Sequence, residues 1–442
     1  MLFRSDLSPS GERGLDVKKP LIMLLAGGGG TRLGALVQHR SKPAVPFAGR
    51  YRVIDFTLSN VMHAGFDWVG VLTQYQPLSL MSHIGTGEPW NFTGRRRGVR
   101  ILPPRTGLSA SDWYRGTADA VWQSMDFMVP MHPERVLILS GDHIYRMDYG
   151  EMLDSHLRNR ADLTLAVMEI DPRDSFRFGM VRCDQESSIT GFEEKPKQTD
   201  ARMASMGIYL FEWPCLVQVL SDFVGRGQAV DFGNHILPAL LGRIRMKAYK
   251  FDGYWRDVGT ISSYFQANMD AILPGRALDL ERWEICTQED SLAGDRAPAR
   301  FGKDSRIVQS LISEGCRIDG LLNRAVISPD VHIAHSAVVE DSVLMHDVHV
   351  EEGAIVRGAV LDKGVTVGKG AVIQGGRAEV TNQAYAKCDL EGMVVVGRNV
   401  HIPKGVRIGS AVVIESGVGI EAIPKEIPDG TTISPPEDKQ QS

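Results

Sequence analysis

The chain has 442 residues, of which 43% are hydrophobic and 23% are charged, and its formal net charge is −5. This length allows two or three domains, and the small negative charge argues against nucleic-acid binding through bulk charge. No segment has the ~18 consecutive apolar residues that a membrane span needs. The polar N-terminus and five scattered cysteines, without a metal-binding spacing, predict a reduced, cytoplasmic protein with no nucleic-acid or membrane partner.

The first predicted element is a buried strand, Leu21–Leu25, which runs directly into a glycine loop at 27–30. Without Cβ atoms, the backbone N–H groups of such a loop can close around an oxyanion, and the guanidinium of Arg32 adds donors that suit phosphate. The spacing is neither that of a Walker A loop nor that of the dinucleotide fingerprint. The sequence therefore predicts a phosphate-binding loop of a third kind, with a ligand-free strand-to-helix turn as the alternative.

Short apolar runs then alternate with helical stretches as far as residue 270. Further strands are predicted at Val69–Leu72, Val136–Leu139, Leu163–Ile170 and Ser205–Phe211, and helices at Thr117–Met128 and Tyr149–Arg158. This alternation predicts an α/β layer with a Rossmann-like, mostly parallel sheet that binds ligands beyond the carboxyl ends of its strands. The basic run at 95–100 is interpreted as a solvated loop, with an anion site as the alternative.

Two isolated acids are candidates for a metal site. Asp142 follows the predicted end of a strand, and Asp257 lies in the stretch YWRDVGT at 254–260. Carboxylates placed in this way hold Mg²⁺ against substrate phosphates, although Asp142 could instead fix a turn or cap a helix. Lys42 follows the glycine loop closely enough to reach the same phosphates. The sequence leaves open whether the two acids meet.

Two further stretches carry groups that suit a sugar or a nucleotide base. Glu194 and Lys195 place a carboxylate beside an ammonium, but an exposed turn is the simpler interpretation of this pair alone. The stretch WYRGTADA at 113–120 combines aromatic surface with a bare backbone at Gly116. Its alternative interpretation is a helix N-terminus capped by Thr117.

Beyond residue 303 the chain becomes periodic. Val331, Val348 and Val365 are 17 residues apart, and the series from Val400 to Val418 has a period of six. β-branched repeats of this kind predict a left-handed parallel β-helix, because an ordinary β-sandwich does not hold a 17-residue register. We expect a polar tail at 1–19, a catalytic domain at 20–271, a linker at 272–303, the β-helix at 304–425 and a tail at 426–442.

Taken together, these motifs resemble one family. The glycine loop followed by Lys42-Pro43 is similar to the signature of sugar-1-phosphate nucleotidyltransferases. The stretches at 42–56, 113–120, 141–145, 204–209 and 254–260 resemble the glucose-1-phosphate adenylyltransferases, and a β-helix after residue 303 fits that family. The resemblance implies that ATP and α-D-glucose 1-phosphate give ADP-glucose and diphosphate, the committed step of bacterial glycogen synthesis, by in-line attack on the α-phosphorus.

The resemblance also implies residue roles. Asp142 and Asp257 would hold Mg²⁺, Lys195 would bind the phosphate of glucose 1-phosphate, and Arg32 with Lys42 would clamp the triphosphate, which makes these five residues the catalytic set. The nucleotide pocket would comprise Ala26, Gly27, Gly28, Gly30, Thr31, Gln74, Gly116 and Thr117. The sugar-phosphate site would comprise Tyr114, Gly179, Glu194, Lys195 and Ser205.

The chain departs from the family pattern at two positions. Gly29 stands where many members carry an arginine, and His39 stands where enteric-type enzymes carry a lysine for a sugar-bisphosphate activator. Arg40 and Arg52 do match residues of the family's regulatory site. We therefore expect allosteric control through this region by other small metabolites, with fructose 6-phosphate or pyruvate as activator and AMP or phosphate as inhibitor. The family also implies a homotetramer.

Three other functions stay open. The first is a pyrophosphorylase for UDP-, dTDP- or GDP-sugars, which would share the fold and the metal pair. The second is a non-catalytic regulatory paralogue, against which the presence of Asp142, Lys195 and Asp257 argues. The third is an acyltransferase that uses a β-helix histidine as base, although surface histidines in turns are the better interpretation. The histidines concerned are His332, His335, His346 and His349.

Overall fold

The computed structural model describes residues 18–105, 113–227, 230–272, 278–288 and 295–436. A nine-stranded sheet organises the first part of the chain, and the strand Leu21–Leu25 lies inside it. That strand pairs in parallel with Trp68–Leu72 on one side and with Arg135–Ser140 on the other. Both faces of the sheet are covered here, since Ile22, Met23 and Leu24 are fully buried, which explains the continuous apolar run.

The sheet is parallel around the glycine loop and mixed elsewhere. Met203–Glu212 runs antiparallel to Arg135–Ser140 and to Leu163–Glu169, and Gly98–Leu102 closes the opposite edge in parallel. The predicted α/β layer and the five predicted strands are confirmed. The basic run at 95–100 is a loop only at its start, because Val99 is buried in the edge strand.

The strands of the first domain are Leu21–Leu25, Pro46–Phe47, Tyr51–Arg52, Trp68–Leu72, Gly98–Leu102, Arg135–Ser140, His143–Tyr145, Leu163–Glu169, Gly179–Cys183, Ile189–Glu194, Met203–Glu212, Met246–Lys250 and Trp255–Asp257. The α-helices are Val53–His63, Pro77–Ile84, Thr117–Gln123, Met125–Met128, Tyr149–Arg158, Trp213–Val219, Leu237–Leu240, Ile261–Asp270 and Leu280–Trp283. Shorter 3₁₀ and π turns are Thr31–Val37, Lys42–Ala44, Glu88–Trp90, Val129–Met131, Pro172–Arg177, Leu220–Gly225 and Phe232–Ile236. Among the described residues, no helix has the length and apolar character to cross a membrane.

The second part is a parallel β-helix whose coils stack in the predicted register. His332 pairs with His349, and Val338 pairs with Ile355, each one 17-residue coil further along. Ser336, Gly353 and Gly370 recur at the same turn with φ of 59°, 68° and 65°, so the repeat preserves a left-handed backbone there. Every strand in this domain pairs with a neighbour in a parallel orientation.

The strands of the β-helix are Arg300–Phe301, Arg306–Val308, Leu311–Ile312, Arg317–Ile318, Leu321–Ile327, His332–Ile333, Val338–Leu344, His349–Val350, Ile355–Leu361, Thr366–Val367, Val372–Gln374, Val394–Val396, His401–Ile402, Arg407–Ile408, Val413–Ile414, Glu426–Ile427 and Thr432–Ile433. The expected bounds of 304 and 425 are therefore too narrow. Arg300–Phe301 already pairs with the next coil, and the strands at 426–427 and 432–433 continue the stack, with Ile427 buried.

One segment breaks the β-helix register. The offset between paired residues is 17 from His332 to His349 but 35 from Thr366 to His401, so additional chain leaves the coil in between. We call residues 375–393 the excursion. It contains the short 3₁₀ helix Ala386–Cys388, which packs against the turn Thr31–Val37 of the first domain. A further short turn, Ile420–Ala422, lies near the end of the stack.

The two domains share one hydrophobic core. Its members from the first domain include Leu33, Phe47, Val258 and Tyr264, and its members from the β-helix include Val343, Met345, Cys388 and Met393. The β-helix is thus packed directly against the elements that carry the glycine loop and Asp257.

Candidate active site

Three charged residues meet at the carboxyl edge of the sheet. Lys42 is 5% exposed, and its Nζ donates to Asp142 Oδ2 and to Asp257 Oδ1, each at 2.8 Å. The two acids that the sequence left unconnected therefore share one cation. The carboxylate of Asp142 also accepts a short hydrogen bond from Ser140. No helix N-terminus among the described residues has Asp142 as its cap, so the capping alternative is wrong.

Strand pairing explains how the acids come together. Asp142 follows the strand Arg135–Ser140, whose carboxyl end lies beside that of the glycine-loop strand. The next short strand, His143–Tyr145, pairs antiparallel with Trp255–Asp257, so His143 lies opposite Asp257. This pairing spans more than a hundred residues of chain, which is why the sequence alone could not reveal it.

The charges of this cluster stabilise one another. Burial alone would raise the pKa of Asp142, but the Lys42 ammonium and the His143 imidazole outweigh it and lower that pKa. The pKa of Asp257 is lowered against burial by the same two groups. Burial would lower the pKa of Lys42, but Asp142 and Asp257 raise it above its ordinary value. All three groups are therefore charged at neutral pH.

The donor set fits a divalent metal ion. One ligand atom each of Asp142, His143 and Asp257 lies within 4.8 Å of the others. The Lys42 ammonium, bonded to both carboxylates, shows that a cation is accommodated between them. Carboxylate oxygens are the ligands that hard divalent ions prefer.

A first cleft, with a volume of about 330 Å³, opens from this cluster along the glycine loop. It is lined by Ala26, Gly27, Gly28, Gln74 and Gly116, and Gln74 packs directly beside Gly27. Gly30 has φ of +60°, and a Cβ there would lie 2.8 Å from the Cβ of Lys42, so only glycine allows this turn so close to the lysine. A Cβ on Gly28, by contrast, would meet no atom within 4 Å.

The wall around Gly116 depends on a close backbone approach. A Cβ on Gly116 would lie 2.3 Å from the carbonyl oxygen of Val230. Thr117 Oγ1 donates to Asp231 Oδ2 at 2.9 Å and accepts from the N–H of Phe232 at 3.0 Å. Thr117 thus holds the wall together through its side chain. Thr31, by contrast, is exposed at the start of the turn that follows the glycine loop.

Tyr114 lies in the first cleft and not in the second, contrary to its predicted place in the sugar-phosphate site. The Tyr114 hydroxyl donates to the carbonyl oxygen of Leu102 at 3.0 Å, and the carbonyl oxygen of Tyr114 accepts from Gln74 Nε2 at 3.4 Å. Burial raises its pKa to about 12. The side chain is directed by the edge strand Gly98–Leu102, a contact that local sequence does not encode.

A second cleft, with a volume of about 220 Å³, lies on the other side of Asp142. It is lined by Gly179, Glu194, Lys195 and Ser205, as predicted for the sugar-phosphate site. Arg32, predicted beside Lys42 at the triphosphate, also lines this second cleft and not the first. The exposed Lys195 places its Nζ 3.4 Å from Glu194 Oε1. Burial raises the pKa of Glu194, an effect that the Lys195 ammonium partly offsets. Ser140 and Asp142 line both clefts, so the two meet at the acidic cluster.

Several lining residues were not predicted. His143 and Trp255 line the second cleft, and their rings are in edge contact at 5.1 Å. Arg177 also lines it, with a nitrogen 3.9 Å from Asp257 Oδ2. Tyr75 and Asp231 line the first cleft. His143 and Trp255 stand next to predicted residues in their motifs, which was the available signal, whereas Arg177 had none.

The three predicted effector residues differ in their surroundings. His39 is exposed, and Arg52 Nη1 donates to the carbonyl and hydroxyl oxygens of Ser79 at 2.9 and 3.0 Å. Arg40 is 4% exposed, and its Nη2 donates to both carboxylate oxygens of Asp362 at 2.8 and 3.0 Å. In this structure Arg40 therefore links the first domain to the β-helix.

The β-helix histidines lie outside both clefts. His332 and His349 are exposed and stack at a ring distance of 4.7 Å, and His335 is exposed as well. His346 is half-buried, so it does not fit the interpretation as a surface histidine. Burial, followed by the neighbouring Lys363, lowers its pKa well below the ordinary value.

Comparison with known proteins agrees with this geometry. A family model of nucleotidyl transferases matches residues 21–272, and a model of GlmU-like C-terminal hexapeptide domains matches residues 297–396. A glucose-1-phosphate adenylyltransferase of Lachnospira eligens is 47% identical over 422 residues, which cover 94% of this chain and 98% of the relative. The chain belongs to the glucose-1-phosphate adenylyltransferase family.

Other members of the family match in the same way. The glucose-1-phosphate adenylyltransferase of Geobacillus stearothermophilus is 45% identical over 73% of this chain and 84% of the relative. That of Bacillus licheniformis is 47% identical over 72% of this chain and 84% of the relative. Nucleotidyl transferases of this family generally use a divalent metal ion, which the cluster around Asp142 and Asp257 can accommodate.

Proposed function

We propose that this chain transfers the adenylyl group of ATP to α-D-glucose 1-phosphate, releasing diphosphate and forming ADP-glucose for glycogen synthesis. The observation that carries the proposal is the meeting of two clefts at Lys42, Asp142 and Asp257. One cleft has a glycine loop that suits phosphate and a base, and the other has an ammonium and a carboxylate that suit a sugar phosphate. Family membership supports the same reaction.

The edge that the two clefts share determines how the two substrates are arranged for the reaction. With the nucleotide in the first cleft and the sugar phosphate in the second, their phosphates meet at Asp142, which lines both clefts. A phosphate oxygen of the sugar forms a bond to the α-phosphorus, and the bond from that phosphorus to the diphosphate breaks. The diphosphate leaves with the electron pair of that bond, so a covalent enzyme intermediate is not needed.

Catalysis depends on positively charged side chains that are positioned around the phosphates. Lys42 is held by two carboxylates and is therefore a fixed cation beside the glycine loop, where it can neutralise the triphosphate. Arg32 lines the second cleft near Asp257 and can bind phosphate oxygens from that side. Lys195 is exposed at the outer part of that cleft, where it can bind the phosphate of the sugar.

We infer that the divalent ion is Mg²⁺ and that Asp142 and Asp257 would hold it through carboxylate oxygens. When bound, Mg²⁺ supplies charge neutralisation on the phosphates. We further infer a cytoplasmic homotetramer that is regulated by small metabolites. The five free cysteines support a reducing compartment, and family membership supports the assembly and the regulation.

The test measures diphosphate release from glucose 1-phosphate and Mg²⁺ with ATP, UTP, dTTP or GTP. Asp142→Asn is compared with Asp148→Asn, an exposed helix cap at which asparagine also serves. We expect release that is selective for ATP, lost in Asp142→Asn and retained in Asp148→Asn. Faster release with another nucleotide would contradict the substrate assignment, and full activity of Asp142→Asn would contradict its role.

A further inference from the structure

The β-helix contributes a segment of its own to the catalytic domain. The excursion leaves the coil after Gln374, and its 3₁₀ helix Ala386–Cys388 packs on Thr31–Val37, the turn that follows the glycine loop. The β-helix repeat does not require this segment, since earlier coils connect with an offset of 17 residues. The additional chain therefore calls for a role other than completing the stack.

The contact with the turn is close. Gly34 has φ of +53°, and a Cβ there would lie 2.8 Å from Cε1 of Tyr385 and 3.3 Å from Sγ of Cys388. The thiol of Cys388 also points to the carbonyl oxygen of Thr31 at 3.7 Å. The aromatic ring of Tyr385 thus lies directly against the backbone of Gly34, and a side chain at position 34 would have no room.

The excursion also holds the chain that follows Asp257. The N–H of Ser262 donates to the carbonyl oxygen of Asp389 at 3.0 Å, and the Ser262 hydroxyl donates to the Asp389 carboxylate. Ser262 lies in the first turn of the helix Ile261–Asp270, shortly after Asp257. One short segment therefore contacts the two stretches that carry Arg32 and Asp257.

Those two stretches meet in the active site. A Cβ on Gly259 would lie 2.9 Å from Nη2 of Arg32 and 2.8 Å from Oδ2 of Asp257. The guanidinium of Arg32 therefore rests on the bare backbone of Gly259, beside the carboxylate. A shift of the turn Thr31–Val37 would move this guanidinium away from the place where phosphates meet.

The excursion is itself fixed to the β-helix. The Tyr385 hydroxyl donates to the carboxylate of Glu415, and the N–H of Tyr385 donates to Asn382 Oδ1 at 3.1 Å. Asn382 is 2% exposed, and its Nδ2 donates to the carbonyl oxygens of Ala411 and Thr431 at 3.0 and 3.2 Å. The ring of Tyr385 is therefore held by coils further along the stack.

We propose that Tyr385 is a positioning residue for the adenylyl transfer: its ring, fixed by the β-helix, supports the turn after the glycine loop and so holds Arg32 beside Asp257. This inference rests on the proposed function. It assigns the excursion a catalytic purpose, because misplacing a charge-stabilising group by about 1 Å can cost a hundredfold in rate.

The test is a double-mutant cycle between Tyr385→Ala and Arg32→Ala, read as kcat/KM for ATP and as KM for glucose 1-phosphate. We expect Tyr385→Ala to lower kcat/KM for ATP by about tenfold or more and also to raise KM for glucose 1-phosphate, because Arg32 lines the cleft of the sugar phosphate. In the Arg32→Ala background the same change should cost less than about twofold, because the supported group is absent. Equal losses in both backgrounds would overturn the proposal.

Two controls separate positioning from folding. Tyr385→Phe keeps the ring and loses only the bond to Glu415, so it should restore kcat/KM to within about twofold of the unaltered protein. Leu322→Ala removes a fully buried side chain of the β-helix interior, away from the excursion, and should lower the unfolding temperature without changing KM for ATP. Loss of ATP kinetics in Leu322→Ala to the same extent would overturn the proposal.

The outcome is distinguishable from a failure of the proposed function. If the unaltered protein prefers another nucleotide, the adenylyl assignment fails, and the cycle is run with that nucleotide. ATP binding is measured in parallel by calorimetry, which requires no turnover. If Tyr385→Ala does not fold, Tyr385→Leu retains apolar packing without the ring and replaces it. Unchanged kinetics and binding in a folded variant would overturn the positioning role.

Discussion

Lys42→Met is the most informative single change, because it removes a buried charge and keeps nearly the same shape. Lys42 is 5% exposed and donates two charge-assisted hydrogen bonds of 2.8 Å to Asp142 and Asp257. The variant leaves the buried Asp257 and the partly exposed Asp142 facing each other without a cation. Breaking a buried ion pair in this way costs about 3–5 kcal/mol in the free energy of unfolding. For a domain of this size that is a fall of about 6–20 °C in the unfolding temperature.

The same variant tests the metal site. In Lys42→Met the two carboxylates of Asp142 and Asp257 have lost their internal cation, so a divalent ion gains more by binding there. We expect MgCl₂ to raise the unfolding temperature of Lys42→Met more than that of the unaltered protein, by linkage of binding to folding. This readout is independent of catalysis, which the variant is expected to lose as well.

The pH dependence of the stabilisation that this cluster gives the unaltered protein follows from the direction of the pKa shifts. The carboxylate pKa values of Asp142 and Asp257 are lowered in the folded state, so their stabilisation is present above pH ~3.8 and is lost as pH falls through the lowered values. The pKa of Lys42 is raised, so its contribution is present below pH ~10.5 and is lost as pH rises through the raised value. This contribution to the stability of the unaltered protein should therefore be flat from about pH 5 to 9.

Thermal and urea unfolding of both proteins, with and without MgCl₂ and over a range of pH, measure the loss of stability, the response to the metal ion and the pH dependence. A Lys42→Met variant that unfolds within about 1 kcal/mol of the unaltered protein would refute the reasoning, because a buried ion pair cannot be broken at so small a cost. Equal responses of the two proteins to MgCl₂ would refute the metal assignment.

Three further changes test other parts of the structure. Gly116→Ala should raise KM for ATP and lower the unfolding temperature, because its Cβ would lie 2.3 Å from the carbonyl oxygen of Val230; unchanged kinetics would contradict this. Arg40→Met should destabilise by about 3–5 kcal/mol and show a coupling above ~1 kcal/mol in a double-mutant cycle with Asp362→Asn, measured by urea unfolding. Gly29→Arg should fold normally and lower KM for ATP, since its Cβ meets only ordinary contacts from 3.5 Å; a higher KM would contradict a phosphate-binding role for an arginine there.

Local periodicity predicted much of the fold because its information is local. The bounds of Leu21–Leu25 match, since an apolar run ending in glycines has one simple interpretation. Asp142 was correctly placed at the carboxyl edge for the same reason. The β-helix register was also predictable, because each coil repeats the same buried positions and the same left-handed turn at Gly353 and Gly370.

The details of the site depend on contacts between distant segments. The strand His143–Tyr145 pairs with Trp255–Asp257, and neither stretch shows in sequence which partner it takes. The sequence predicts Tyr114 at the sugar phosphate. Its hydroxyl instead donates to the carbonyl oxygen of Leu102 in the edge strand, and its side chain lies in the first cleft. Arg177 enters the second cleft from a 3₁₀ turn that carries no motif.

The excursion shows where periodicity carries no structural information. In a β-helix the repeat encodes only which side chains point inward, so a segment that leaves the repeat loses the signal that made its neighbours readable. Its residues instead contact the other domain: Tyr385 lies against the backbone of Gly34, and Asp389 accepts a hydrogen bond from Ser262. In the sequence, neither Gly34 nor Tyr385, some 350 residues later, indicates by itself that the two are in contact. Together they connect the stack of coils to the turn that follows the glycine loop.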